Sequence, residues 1–156
     1  MNKPFRFGLQ AYAPNSGKEW RELARKAEAS GFSSFHLADH IIGPGPALTA
    51  TGHPIQTVAA IPAMAVAAEA TSTIKVGCRV LCVDYRSPVM LAKEVATLDF
   101  FSEGRLELGL GAGWLQGEYE PPTIISLVTV FVVVGSTGVG RPIQNRRLPL
   151  EASSRW

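Results

Sequence analysis

The strongest limit on what this chain can fold into is a regular alternation of strand-like and helix-like stretches. "FRFGLQAY" (5–12), "FSSFHLADH" (32–40), "IKVGCRVLCV" (74–83) and "RLELGLGAG" (105–113) are short, apolar and rich in strand formers. Between them lie three helical stretches with recognisable ends. Ser16 with Glu19 three residues on forms a capping box, Trp20, Leu23, Ala24 and Ala27 follow at helical spacing, and Gly31 stops the run. Pro62 suits the first turn of a second helix reaching Ala70. Ser87 and Pro88 open a third, which carries Leu91, Val95 and Leu98 on one face and ends at Gly104. The order β-α-β-α-β-α-β predicts a parallel sheet with right-handed crossovers. It fits either an open doubly wound sheet or the start of an eight-fold β/α barrel. Both bind ligands at the carboxyl ends of their strands. Those ends are Gln10, Ala38-Asp39-His40, Cys82-Val83-Asp84 and Gly111-Ala112-Gly113-Trp114.

Length and composition agree with one globular core: 156 residues, 46% hydrophobic and 18% charged. Cys78 and Cys82 stand four apart in an extended stretch, about 13 Å at strand rise, too far to bridge. With no second Cys/His cluster beside them, no metal site is expected. Without a signal-type opening or a run long enough for a bilayer, the chain reads as cytoplasmic, with no membrane partner. Residues 1–120 hold eleven basic and twelve acidic side chains, whereas 121–156 hold four Arg against Glu151. That tail lacks the aromatic interleaving or recognition helix of a nucleic-acid binder, so none is expected.

The glycine cluster in "ELGLGAGW" invites a phosphate-binding reading, and the residues reject it. Gly109, Gly111 and Gly113 leave Trp114 where a dinucleotide fingerprint needs its third glycine. The cluster also follows the fourth strand rather than the first, and no Gly-Lys-Ser/Thr is present. Glycines that let a strand end turn tightly account for it without any ligand.

"FRFGLQ", "WRELARKAEASGFSSFHLADH", "RVLCVDYRSPVMLAKEVATLD" and "SEGRLELGLGAGW" occur in order and in one register. Together, over residues 4–120, they resemble the luciferase-like monooxygenase superfamily, and within it the oxidoreductases that use coenzyme F420, a deazaflavin. The resemblance implies a TIM-type (β/α)8 barrel, of which residues 1–120 supply about four β/α units, the N-terminal half. It implies hydride transfer between deazaflavin, or alternatively FMN, and a small organic substrate. Carried over, His40 is the catalytic residue, and Asp39 lines the cofactor pocket. Cys82 and Val83 take the place of a strand-end bulge with a non-prolyl cis peptide. Gly111, Ala112 and Gly113 let the backbone approach the ring. Gln10 and Trp114 fall in the substrate pocket; Trp114 stands where some relatives carry a proton-donating Glu. His53 reads as a loop residue.

After Glu120 the pattern ends. Residues 121–156 resemble nothing in the family, and the β-forming run 124–134 is their one expected strand. The change reads as a truncated or frame-shifted product. An uncovered strand edge and inner face then predict a homo-oligomer. The alternative to an oxidoreductase is a non-catalytic fragment that folds only partly or by self-association.

Overall fold

The computed structural model describes residues 5–41, 49, 52–115, 118 and 132–134. Its strands are β1 (Gly8–Ala11), β2 (Ser34–Leu37), β3 (Lys75–Cys78), β4 (Leu81–Cys82), β5 (Leu106–Gly111) and β6 (Val132–Val134). Its helices are α1 (Gly17–Ala29), α2 (Ala60–Ala70) and α3 (Pro88–Phe101). β1, β2, β3 and β5 run parallel side by side, with a helix on the outer face leading from each to the next. The sheet is thus the expected α/β arrangement, with the layout of a partial barrel.

The third expected strand, 74–83, is two strands. Gly77 pairs with Glu107 and Leu81 with Leu110, so this line carries one more residue than β5 across the same stretch. The extra residue is a bulge between β3 and β4, holding Arg79 and Val80. Gly109 faces it. A Cβ there would stand 2.8 Å from Val80 Cγ1 and 3.0 Å from the Cys78 carbonyl. Within the strand, then, this glycine gives room to the bulge.

Alternation along the strands sends Phe35, Leu37, Val76 and Leu106 outward into the helical layer, where all are buried. Trp20 of α1 packs on Phe35 with ring centroids 4.9 Å apart, and its indole N–H donates to the Ala63 carbonyl of α2 at 2.7 Å. The small side chains Ala60, Ala63, Ala67 and Ala68 let α2 lie close to α1 and the sheet. Arg105 joins the ends of α2 and α3. It donates to the carbonyls of Ala68, Ile74 and Ser102 and to the Thr71 hydroxyl, satisfying carbonyls that a helix end leaves free. The Ser16 cap forms as its spacing predicts, with its hydroxyl accepting from the Glu19 amide.

Glu28 near the end of α1 is a pH-sensitive clasp. Its carboxylate accepts from the amides of Ser72, Thr73 and Ile74 and from the Thr73 hydroxyl, tying α1 to the turn before β3. Burial alone would raise its pKa, but these four bonds outweigh that and lower it from 4.5 to about 2. A depressed carboxylate stabilises the fold above its unfolded value and ceases to do so as pH falls through the folded one. Stability should therefore drop between about pH 4.5 and pH 2. Glu28→Gln should flatten that decline in urea midpoints measured across the window; an unchanged profile would remove Glu28 as the cause.

β6 pairs antiparallel with β5, Val134 opposite Leu108 and Val132 opposite Leu110. The rest of the expected tail strand, 124–131, lies outside the described residues, as does most of the loop after β2. Among the described residues no helix is long and apolar enough to cross a membrane.

Candidate active site

The carboxyl end of β2 runs straight into Asp39 and His40, and the two diverge in what they do. Asp39 is buried, and both of its oxygens are engaged. Oδ1 accepts from Arg86 Nη2 at 2.8 Å, and Oδ2 accepts from Arg86 Nη1 and from the Cys82 amide, the latter at 2.9 Å. The pair is a two-pronged clamp between β2, β4 and the turn that follows. Hydrogen bonding to Asp39 raises the Arg86 pKa against the opposing effect of burial. Burial, together with the nearby Asp39 charge, pushes the Cys78 thiol well above its ordinary range, so that buried thiol stays protonated.

His40 turns the other way, to a carboxylate from beyond β5. Its Nδ1 lies 3.0 and 2.9 Å from the two oxygens of Glu118, whose side chain is 1% exposed. Glu118 also accepts from the Ile41 amide at 2.7 Å and from the Tyr85 hydroxyl at 2.6 Å. Burial would raise the Glu118 pKa, but the bonds from His40, Tyr85 and Ile41 together hold it below the usual carboxylate value. On the other side of the imidazole stand His53, 4.1 Å between ring centroids, and Trp114, edge-on at 6.0 Å. Tyr12 meets His53 edge-on at 5.8 Å.

These groups border one cleft, lined by Asp39, His40, Arg79, Val80, Cys82, Tyr85, Gly113, Trp114 and Glu118. Of the expected site residues, the structure brings Asp39, His40, Cys82, Gly113 and Trp114 together there. Gly111 ends β5 opposite Cys82, and Ala112 follows it. Val83 begins a short 3-10 turn, Val83–Tyr85, outside the cleft lining. Gln10 borders a separate hollow between β1 and α1. One expectation is corrected: the non-prolyl cis peptide is Arg79-Val80, three residues before Cys82-Val83. A strand line read as continuous to Val83 puts its end too late, because the bulge breaks it after Cys78.

The reading of the sequence missed Glu118, Tyr85 and Arg79. Glu118 follows the last expected strand in a stretch with no periodicity, and only the folded chain brings it beneath His40. Arg79 in an apolar strand was the visible anomaly, and it is an exposed side chain at the cleft. A second polar group lies apart from the cleft: Glu107 of β5 pairs with Arg6 and meets His36 Nε2 at 3.2 Å. Burial is the larger effect on His36 and lowers its pKa despite that carboxylate.

Comparison with known proteins decides the lineage. Residues 1–121 match the family model described as luciferase-like monooxygenase. The chain belongs to the luciferase-like monooxygenase family. Among this family's curated members, the F420-dependent glucose-6-phosphate dehydrogenase of Amycolatopsis mediterranei is 33% identical over 108 residues, covering 68% of this chain and 31% of that protein. Among solved structures, the coenzyme F420 dependent tetrahydromethanopterin reductase of Methanopyrus kandleri superposes with a TM-score of 0.57 at 25% identity, covering 74% of this chain and 29% of that one. The oxygenating constituent of 3,6-diketocamphane monooxygenase of Pseudomonas putida, solved in complex with FMN, gives 0.55 at 24% identity, covering 74% and 32%. The chain spans less than half the length of the curated relatives it matches.

In this luciferase-like chain, the cleft closed by the described residues measures about 60 Å³. That volume takes the reacting end of a small molecule and not a tricyclic ring. The residues fit such a ring as one wall only. The strand end Gly111-Ala112-Gly113 offers backbone, and Gly113 turns it away at a φ of +66° that a side chain would resist. The Trp114 indole stands 53% exposed at the mouth. Asp39 also lines the cleft, and its three hydrogen bonds to Arg86 and Cys82 tie it to the fold.

Proposed function

We propose that the chain carries the hydride-transfer site of an F420-dependent oxidoreductase acting on a small organic substrate. The observation that carries this reading is His40, held by a buried carboxylate at the carboxyl end of a barrel strand, with one side open to a cleft. Two of the relatives above are named for dependence on F420, and the third was solved with FMN, which makes FMN the alternative cofactor. When bound, such a cofactor accepts hydride from a carbinol C–H bond or returns it to a carbonyl. His40 takes the hydroxyl proton in the first direction and gives it back in the second, a role open to an imidazole, which can both accept and donate a proton. The Gly111-Ala112-Gly113 backbone and Trp114 would hold the ring on one side. The bulge at Arg79-Val80, which lines the same cleft as Cys82, would support it through its backbone.

The size of the cleft favours a second reading, a non-catalytic unit of the same lineage. Titration with oxidised F420 and, separately, with FMN tells the two apart. Micromolar binding of either, with F420 the tighter, supports the oxidoreductase. No binding at near-millimolar cofactor contradicts it and leaves the non-catalytic reading.

A further inference from the structure

We infer that Glu118, steadied by Tyr85, is a positioning residue that fixes the tautomer of His40 and so makes its Nε2 the proton acceptor of the site. The inference rests on the oxidoreductase reading for its purpose, but not for its geometry. Both Glu118 oxygens lie within hydrogen-bond distance of Nδ1. The same carboxylate already accepts from two donors of fixed identity, the Ile41 amide and the Tyr85 hydroxyl. An ionised carboxylate only accepts, so the hydrogen in the bond to His40 has to come from Nδ1. In a neutral imidazole that places the lone pair on Nε2. Among the described residues, none bonds Nε2.

The surroundings reinforce one charge state of the carboxylate. Hydrogen bonds from three partners converge on a side chain almost sealed from water, and such bonds favour the ionised form. The other groups around the ring do not compete for Nδ1. His53 donates its own Nδ1–H to the Pro54 carbonyl at 2.8 Å, Trp114 presents an edge, and the Asp39 carboxylate is matched by Arg86. Arg79 lines the far side of the cleft and has no acceptor to offer.

The consequence is a ring poised as a base. With its lone pair on Nε2 it can receive a hydrogen bond and then a proton from a hydroxyl, as the oxidative direction of the proposed reaction requires. With the other tautomer, Nε2 would donate and could not act as a base. The logic is that of any catalytic histidine whose second nitrogen is held by a carboxylate.

The test needs no cofactor, so its outcome is independent of whether the chain binds one. Long-range proton–nitrogen correlation spectra on protein with 15N-labelled histidine report which ring nitrogen carries the proton. His40 is identified among the three histidines by the signal lost in His40→Gln. In the wild-type chain, at a pH where the ring is neutral, the proton should be on Nδ1. A proton on Nε2 overturns the inference, whatever the Glu118 variant shows. Glu118→Leu should shift the ring toward the Nε2–H form preferred by unconstrained histidine. A folded Glu118→Leu chain that keeps the Nδ1–H form also overturns it. If Glu118 served only to pin the chain after β5 to β2, the substitution would lower stability and leave the tautomer unmoved.

Discussion

His40→Ala should lower turnover by about 10²–10⁴-fold, the range that a positioned general acid or base contributes. Cofactor affinity should change by much less, because the proposed ring contacts are the backbone after β5 and Trp114 rather than His40. The split between the two quantities is the informative part. His40 is half-buried among Glu118, His53 and Trp114, so its removal also leaves a gap. A packing defect of that kind would disturb binding and turnover together. Steady-state kinetics beside a cofactor titration separates the two cases: unchanged turnover demotes His40 to packing, and equal losses in both make it a structural residue. His40→Asn is a useful companion, because it keeps a polar group near Glu118 while removing the ionisable ring.

Arg86→Ala should cost about 3 kcal/mol of stability, the low end for removing one partner of a buried ion pair. The Asp39 side chain is 3% exposed and that of Arg86 is 20% exposed. Truncating the arginine would leave a buried carboxylate with the Cys82 amide as its one remaining partner among those described above. Thermal unfolding should fall by roughly 10 °C for a domain of this size. Asp39→Asn should cost less, since an amide oxygen can still accept from Cys82 while no buried charge is left unpaired. A melting temperature of Arg86→Ala within about a degree of wild type would show that water already screens the pair. It would also return Asp39 to the candidates for ligand binding.

Much of the fold was legible because the signals were local. The Ser16 capping box, the Ser87-Pro88 start and the apolar spacing on α1 each act within a few residues, and alternation then fixes a parallel sheet. The break in the third strand was not legible, because what marks it is register against β5, a long-range property of Gly77, Leu81 and their partners. Arg79 was the one local trace of it. At the site, the same contrast holds. Strand ends pointed to His40 and Trp114, since ligand sites gather there in β/α folds. Glu118 and Arg86 could not be found that way. Their roles come from charge pairing across 78 and 47 positions, and neither lies in a periodic element that would advertise it.

On the proposed reading, a flat redox cofactor binds at the carboxyl ends of β2, β4 and β5, against Trp114. The most direct measurement is tryptophan emission during titration with oxidised F420, for the wild-type chain and for Trp114→Phe. Quenching should saturate at micromolar cofactor in the wild type and be lost in Trp114→Phe, while binding itself persists by cofactor fluorescence. Equal quenching in both chains, or no binding of F420 or FMN at near-millimolar concentration, would contradict that reading.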